Sequence, residues 1–400
     1  MQDTMLFAEA QGLAPQLTAL RRALHRCPEP ARREEKTAAL LAQQLAQLPG
    51  VSVRTQVFST GILAELRGAL PGPITVLRAD MDALNITEET GLPFASETPG
   101  MMHACGHDFH MTILLGAAML LARHRETLRG TVRFLLQPSE EFSPEGGSRG
   151  MIAAGALDGA DAIFGLHVWP DLPFGAAGVK AGPLMACSDR FFVRFHGKSA
   201  HAARPDQGVD ALQAGCRYAA QAQSIVSRSI SPLQSAVVSI GRIEAGTRYN
   251  ILPQECVLEG TVRTLDPQVR DTVENALRRL MEGECAAGGC TGEMDYRRGY
   301  CPTVNDPAMA AHVARTAEAV LGPQGLVRLE KPTMIAEDFG FYLEQIPGCF
   351  FWLGTAKPGE TVWPLHSSHF APDEALLPRG AALVAALALG MADAQQGQEA

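Results

Sequence analysis

Apolar residues recur at helical spacing over residues 13–48: Leu17, Leu20 and Leu24 form one stripe, and Leu40, Leu41 and Leu45 a second. The pattern predicts one or two helices there. Between the stripes, His25, Pro28 and Glu29 read as a helix-ending turn. Residues 51–58 and 62–66 read as strands joined by Ser59-Thr60-Gly61, and residues 74–77 as a third strand that runs into Arg78-Ala79-Asp80-Met81-Asp82. An apolar run at 111–121 predicts a buried helix, and β-rich runs follow at 131–136 and 162–168.

From Cys187 to about Arg298 the pattern changes, with strands expected at 191–195, 236–243 and 255–264 and a helix over 209–227. That order, with a closing helix, fits a small α+β unit of ferredoxin-like type set into the first domain. The first pattern resumes near Tyr300, with a helix at 307–320 and a strand at 350–353. The apolar stretch 380–392 is too short to span a bilayer and reads as a buried helix. The expected fold class is α/β: a discontinuous domain, 1–186 and 299–400, with a mixed sheet flanked by helices, interrupted by an α+β domain at 187–298.

Composition narrows the function. The 400 residues are 46% hydrophobic and carry a net charge of -9, without a Lys/Arg cluster that would bind nucleic acid or an anionic membrane. Small-molecule chemistry is the expectation. Residues 1–4 lack the basic start of a secretory leader, so a cytoplasmic location is expected. Nine cysteines without a Cys-x-x-Cys pair argue against a disulfide scaffold or a zinc ribbon; Cys285 and Cys290 are the close pair.

The chemically densest stretch is His103-Ala104-Cys105-Gly106-His107-Asp108-Phe109-His110. Thiolate and imidazole are ligands for zinc and similar divalent cations, Gly106 lets the backbone bend, and Asp108 could cap the helix that follows. A core cysteine with surface histidines in a helix-entry loop is the plainer alternative. Asp80, just past a strand, could orient a histidine ligand or cap a turn. Gln137-Pro138-Ser139-Glu140-Glu141 also follows a strand, and a Glu pair there suits one metal ligand and one proton acceptor, or a solvated acidic loop. His167 lies inside an apolar strand, and convergent strand ends would bring Cys105, His107, Glu141 and His167 together. His366 and His369 are late candidates.

Taken together, Arg22-Ala23-Leu24-His25 with Pro28-Glu29, Leu77-Arg78-Ala79-Asp80-Met81-Asp82-Ala83-Leu84, the His103–Asp108 stretch, Gln137-Pro138-Ser139-Glu140-Glu141, Gly165-Leu166-His167, Ala200-His201-Ala202-Ala203, Tyr249-Asn250-Ile251 and Glu337-Asp338-Phe339 form a pattern. It resembles the metal-dependent amidohydrolases related to aminoacylase, hippurate hydrolase and the plant indoleacetyl-amino-acid hydrolases. The resemblance implies two divalent metal ions per chain, zinc, manganese, cobalt or nickel, held by Cys105, His107, Glu141, His167 and His366, with Glu140 as general base. It implies that the inserted domain acts as a lid and builds a homodimer or higher homo-oligomer, with His201 reaching the partner's site to stabilise the oxyanion. Asn250 and Arg263 are the candidates for the polar end of an N-acyl amino acid. After His366 the chain departs from the usual pattern, with Ser367-Ser368-His369-Phe370. An N-acetyl-diaminopimelate-type deacetylase or a dipeptidase shares these motifs. Competing readings are a metal-free Cys105 nucleophile with His107 or His103 as base, and a protein that binds acyl amino acids without cleaving them.

Overall fold

The computed structural model describes residues 2–396; residue 1 and residues 397–400, which the expected domain bounds include, lie outside the described residues. The chain divides into two compact units. One comprises Met1–Gly182, Val304–Lys331 and Asp338–Ala400, and the other Pro183–Thr303 and Pro332–Glu337.

The first unit is built on an eight-stranded sheet in the order Val51–Arg54, Ile62–Arg67, Arg129–Gln137, Leu70–Asp80, Ala162–Pro173, Gly348–Ala356, Ala177–Val179, Leu326–Arg328. Its centre is parallel: Leu70–Asp80 runs alongside both Arg129–Gln137 and Ala162–Pro173, and Gly348–Ala356 runs parallel to Ala162–Pro173. Register places Asp80 opposite Gln137 and Trp352 opposite His167, so several chemically active residues follow or end neighbouring strands. The carboxyl ends of parallel strands are where α/β sheets place their ligands.

The expected strand over 51–58 ends at Arg54. Gln56 and Ser59 adopt φ values of 53° and 51°, which break extended pairing. The helical stripes resolve into Ala14–Arg26 and Glu35–Ala46, preceded by Gln2–Gly12. Between them Glu29 does more than end a helix, because its carboxylate accepts the Lys36 and Thr37 N–H groups (3.2 and 2.8 Å) and caps the second helix. The apolar run at the C-terminus forms Leu376–Leu389, and Gly390 separates it from Met391–Gln396. Among the described residues no helix is long and apolar enough to cross a membrane.

The helix His107–Arg123 is buried from His107 to Leu121, which explains its apolar sequence on every face. Its N-cap is Gly106, at φ 84°, and a Cβ there would lie 2.4 Å from Val168 Cγ2, so the position requires glycine on two grounds. Asp108 is not the cap. Its side chain turns instead to Arg21 Nε and His25 Nδ1, both at 2.8 Å, because a buried carboxylate in the first turn gains more from two cationic donors.

The second unit carries an antiparallel sheet in the order Ala236–Ala245, Glu255–Thr264, Asp189–His196, Thr291–Arg298. Two helices, Ala211–Ser224 and Pro267–Gly288, complete a β-α-β-β-α-β chain order of ferredoxin-like type. Burial alternates strictly along Glu255–Thr264, and Phe191, Val193, Phe195, Tyr218, Leu258 and Leu277 fill the core. The unit extends past the expected 187–298. Pro332–Glu337 joins it, as Leu184 O accepts the Thr333 N–H and Ile335 O the Ala186 N–H, each at 2.9 Å.

Candidate metal centre and active site

Cys105 sits in the loop entering the His107–Arg123 helix, and its thiol faces His167 Nε2 at 3.3 Å. The tautomer of His167 follows from its neighbours: Nδ1–H donates to Val168 O (2.7 Å), leaving the Nε2 lone pair towards the thiol. His107 is fixed in the same way. Its Nδ1–H donates to Asp82 O (2.8 Å), while Nε2 is buried without a hydrogen-bond partner. Two buried imidazoles, His107 and His167, therefore have Nδ1 engaged by a carbonyl and leave Nε2 beside one thiol, the nitrogen through which an imidazole binds a divalent cation.

Glu141 and His366 complete the cluster, with His366 Nε2 at 3.2 Å from Glu141 Oε1. His366 is held at φ 65° and its N–H donates to Ala104 O (2.9 Å), tying it to the Cys105 loop. Among the groups of donor atoms within 4.8 Å of one another are Cys105, His107 and His167; Cys105, Glu141 and His366; and His107, Glu140 and Glu141. Cys105 is common to the first two.

Electrostatics say what the cluster lacks. Burial raises the Cys105 thiol well above its usual range, and the charges of Glu141, Glu140 and Asp80 raise it further. Burial opposes protonation of His107, yet Asp80, Asp82 and Glu141 overcome it and push its pKa up to about 10. Burial and the neighbouring His110 hold His167 well below its usual value, so it stays neutral. An acidic pocket that draws a proton onto His107, beside a neutral His167 and an un-ionised Cys105, fits divalent cations, which would supply the positive charge in the proton's place.

Asp80, His107 and His110 also lie within ligand distance of one another, but His110 is fully engaged. Its Nδ1–H donates to Asp80 (2.6 Å) and its Nε2 accepts the Val168 N–H (3.0 Å). Asp80 therefore orients His110, and also accepts from Arg78 Nη1 at 2.7 Å. It lies 3.7 Å from His107 Nε2. His369 turns elsewhere, stacked on Trp363 with centroids 4.6 Å apart. His103 is buried with neither ring nitrogen hydrogen-bonded, and burial pushes its pKa down to about 3.

The remaining candidates lie in the second unit. His201 and Asn250 come together at the short pairing of Ala200–His201 with Ile251–Leu252, where Ala202 N–H donates to Asn250 O (3.0 Å) and Ala203 N–H to His201 Nδ1 (3.0 Å). Asn250 Oδ1 is buried without a hydrogen-bond partner. Arg263 directs its guanidinium to its own strand, at Val262 O (3.1 Å) and Thr261 Oγ1.

Residue-by-residue reading missed Asp82 and His110. Asp82 accepts the Glu140 and Glu141 N–H groups (3.0 and 2.9 Å), and nothing local in the sequence marks it for that task.

The sequence model of peptidase family M20/M25/M40 matches residues 76–390. N-acetylcysteine deacetylase of Bacillus subtilis is 43% identical over 361 residues, covering 90% of this chain and 93% of the relative. N-acyl-L-amino acid amidohydrolase of Geobacillus stearothermophilus is 42% identical over 287 residues, covering 72% and 77% of the two chains. A solved Bacillus subtilis structure described as a dinuclear metal-binding peptidase of the M20 family superposes with a TM-score of 0.84 at 36% identity, over 96% of this chain and 99% of that one. The chain belongs to peptidase family M20/M25/M40 and is a hydrolase acting on amide bonds.

Proposed function

We propose that the enzyme hydrolyses the amide bond of N-acyl amino acids at a site for two divalent cations. The observation that carries this reading is Cys105, shared by two donor groups that together include His107, His167, Glu141 and His366, with Glu140 beside them. Zinc, manganese, cobalt and nickel all suit such a donor set. When bound, the cations polarise the acyl carbonyl and bring the pKa of water towards neutrality.

The chain's own groups then have distinct tasks. Glu140 takes the proton of the attacking water and passes it to the leaving amine, which departs as the free amino acid. Its backbone is held for this by Asp82. His201, from the lid of a partner subunit in a homodimer, donates to the oxygen of the tetrahedral intermediate, and such a donor contributes on the order of 3 kcal/mol. Asn250, with Oδ1 unpartnered, and Arg263 take the polar end of the substrate. The cytoplasm is the proposed location, consistent with nine free cysteines.

A metal-free Cys105 nucleophile has less support. The imidazole facing the thiol is His167, held neutral, while the thiol is pushed up, so the pair lacks the ionised form a nucleophile needs.

The test is elemental analysis of the purified protein together with hydrolysis of an N-acyl amino acid panel before and after chelation. The panel includes N-acetylcysteine, N-acetyldiaminopimelate, a hippurate and a dipeptide. The expected result is about two metals per chain, with activity lost on chelation and restored by divalent ions. Activity that survives complete metal removal moves the chemistry to Cys105 and overturns the proposal.

A further inference from the structure

We infer that Glu34 is a positioning residue: its buried carboxylate holds the turn at Ser139 and so fixes the backbone that presents Glu140. The inference rests on the role proposed above for Glu140.

Glu34 stands at the N-cap position of the helix Glu35–Ala46, yet its side chain makes no capping bond to that helix. Glu29 does the capping instead. Freed from local duty, the Glu34 carboxylate is fully buried and accepts from Ser139 N–H (2.9 Å), Arg32 N–H (3.1 Å) and the Thr60 hydroxyl (2.6 Å). Ser139 Oγ lies 3.4 Å from the same carboxylate and accepts the Arg32 N–H (2.9 Å). No short-range feature explains a link that spans 105 positions of sequence.

The two residues whose amides Glu34 takes are both left-handed, Arg32 at φ 67° and Ser139 at φ 62°. That conformation is unfavourable for an L-residue and persists only where its surroundings enforce it. Ser139 leads directly into Glu140 and Glu141, whose amides go to Asp82. Three successive N–H groups, 139 to 141, are thus anchored by two carboxylates from separate segments. The arrangement works against burial of charge: desolvation holds the Glu34 pKa up, with the Asp82 carboxylate adding to it, while the Thr60 hydroxyl, the backbone N–H of Glu34 itself and the Ser139 N–H oppose the rise. A carboxylate placed there at such cost matches the demand for one conformation of the turn.

The experiment compares Glu34→Ala, Glu34→Gln, Thr60→Val, Glu140→Gln and the double variant Glu34→Ala with Ser139→Gly, all metal-loaded, on the best substrate of the panel. In Glu34→Ala, kcat should fall about tenfold to about a hundredfold, as small misplacements of a reacting group do, with KM within about twofold. Glu34→Gln should retain more activity, because its amide oxygen still accepts the Ser139 N–H. Adding Ser139→Gly to Glu34→Ala should restore part of kcat, since glycine adopts this φ freely. Hydrogen exchange, which needs no turnover, should accelerate at amides 139–141 in Glu34→Ala. Thr60→Val, the milder variant, should shift kcat and exchange in the same direction.

Unchanged kcat with 139–141 still protected overturns the inference. So does a loss of kcat that Ser139→Gly does not relieve at all. If Glu140→Gln is inactive while Glu34→Ala is unaffected, only this inference fails. If Glu140→Gln stays active, the role proposed for Glu140 fails beneath it.

Discussion

Substituting Gly106 by alanine tests how tightly the fold determines the metal centre. The new Cβ would meet Val168 Cγ2 at 2.4 Å and Phe370 Cε1 at 3.3 Å, at a residue with φ 84°. The left-handed conformation costs an alanine roughly 1–2 kcal/mol. Overpacking adds about 1–3 kcal/mol, since Val168 has little room to yield. Its branched side chain is stiff, its N–H is held by His110 and its carbonyl by His167. Stability should therefore drop by about 2–5 kcal/mol, the sum of the two costs. Cys105 and His107 flank Gly106, so any relief of the clash moves ligands, and zinc affinity should fall at least about tenfold, or about 1.4 kcal/mol. All three tryptophans, Trp169, Trp352 and Trp363, lie in the first unit, so urea unfolding followed by their fluorescence reports on that unit. Zinc affinity is read by competition with a chelating dye. Val168→Ala removes the clashing methyl groups and should recover the overpacking part, a coupling of about 1–3 kcal/mol in a double-mutant cycle. A Gly106→Ala loss below about 0.5 kcal/mol with unchanged zinc affinity would refute the reasoning, as would an equal loss in the Val168→Ala background.

Two further outcomes are expected. Burial opposes ionisation of Glu88, but the His25 ring, the Ser96 amide and the Thr90 hydroxyl bring its pKa from 4.5 down to about 2. A depressed carboxylate stabilises the fold above its unfolded pKa and loses that contribution as pH falls through the folded one, so the stability advantage over Glu88→Gln should shrink from pH 4.5 towards 2 and then vanish. Unfolding of the two metal-free proteins across that range checks it, and a difference independent of pH contradicts it. For the trans role of His201, Glu140→Gln and His201→Ala are each expected to be nearly inactive. Statistical mixing of their subunits should restore about a quarter of wild-type activity through hybrid dimers, and no recovery rules out a His201 supplied in trans.

What was legible in the sequence divides by the range of the interaction. Periodicity placed the buried helix after His110 and the strands leading into Asp80, Glu140 and His167, because each is a local demand of burial on a repeating backbone. Ligand candidates were legible for a related reason: thiol, imidazole and carboxylate side chains at strand ends carry few competing structural tasks. Their supports were not. Asp80 reads in sequence as either the orienting partner of a histidine ligand or a turn cap; its closest imidazole is His110, one helical turn beyond His107, because only the folded sheet brings Val168 N–H to the other ring nitrogen. Asp108 read as a cap, since Asp often caps, and the pull of Arg21 and His25 arises only in three dimensions.

Glu34 and Asp82 sharpen the point. Each is an ordinary acidic residue in sequence, beside a helix start or a strand end, where a solvated or capping role is the usual expectation. Their tasks exist because the Ser139–Glu141 turn presents three N–H groups inwards, and buried amides must find acceptors. Sequence patterns thus expose the groups that would meet a metal, while the groups that hold them in place become visible only when every buried donor is traced to its acceptor. The same tracing leaves His107 Nε2 without a hydrogen-bond partner beside Asp80 and Glu141. An orphaned nitrogen facing acids, at a residue whose other nitrogen is firmly bonded, is an unmet demand for positive charge, and it places the cation requirement in the chain itself.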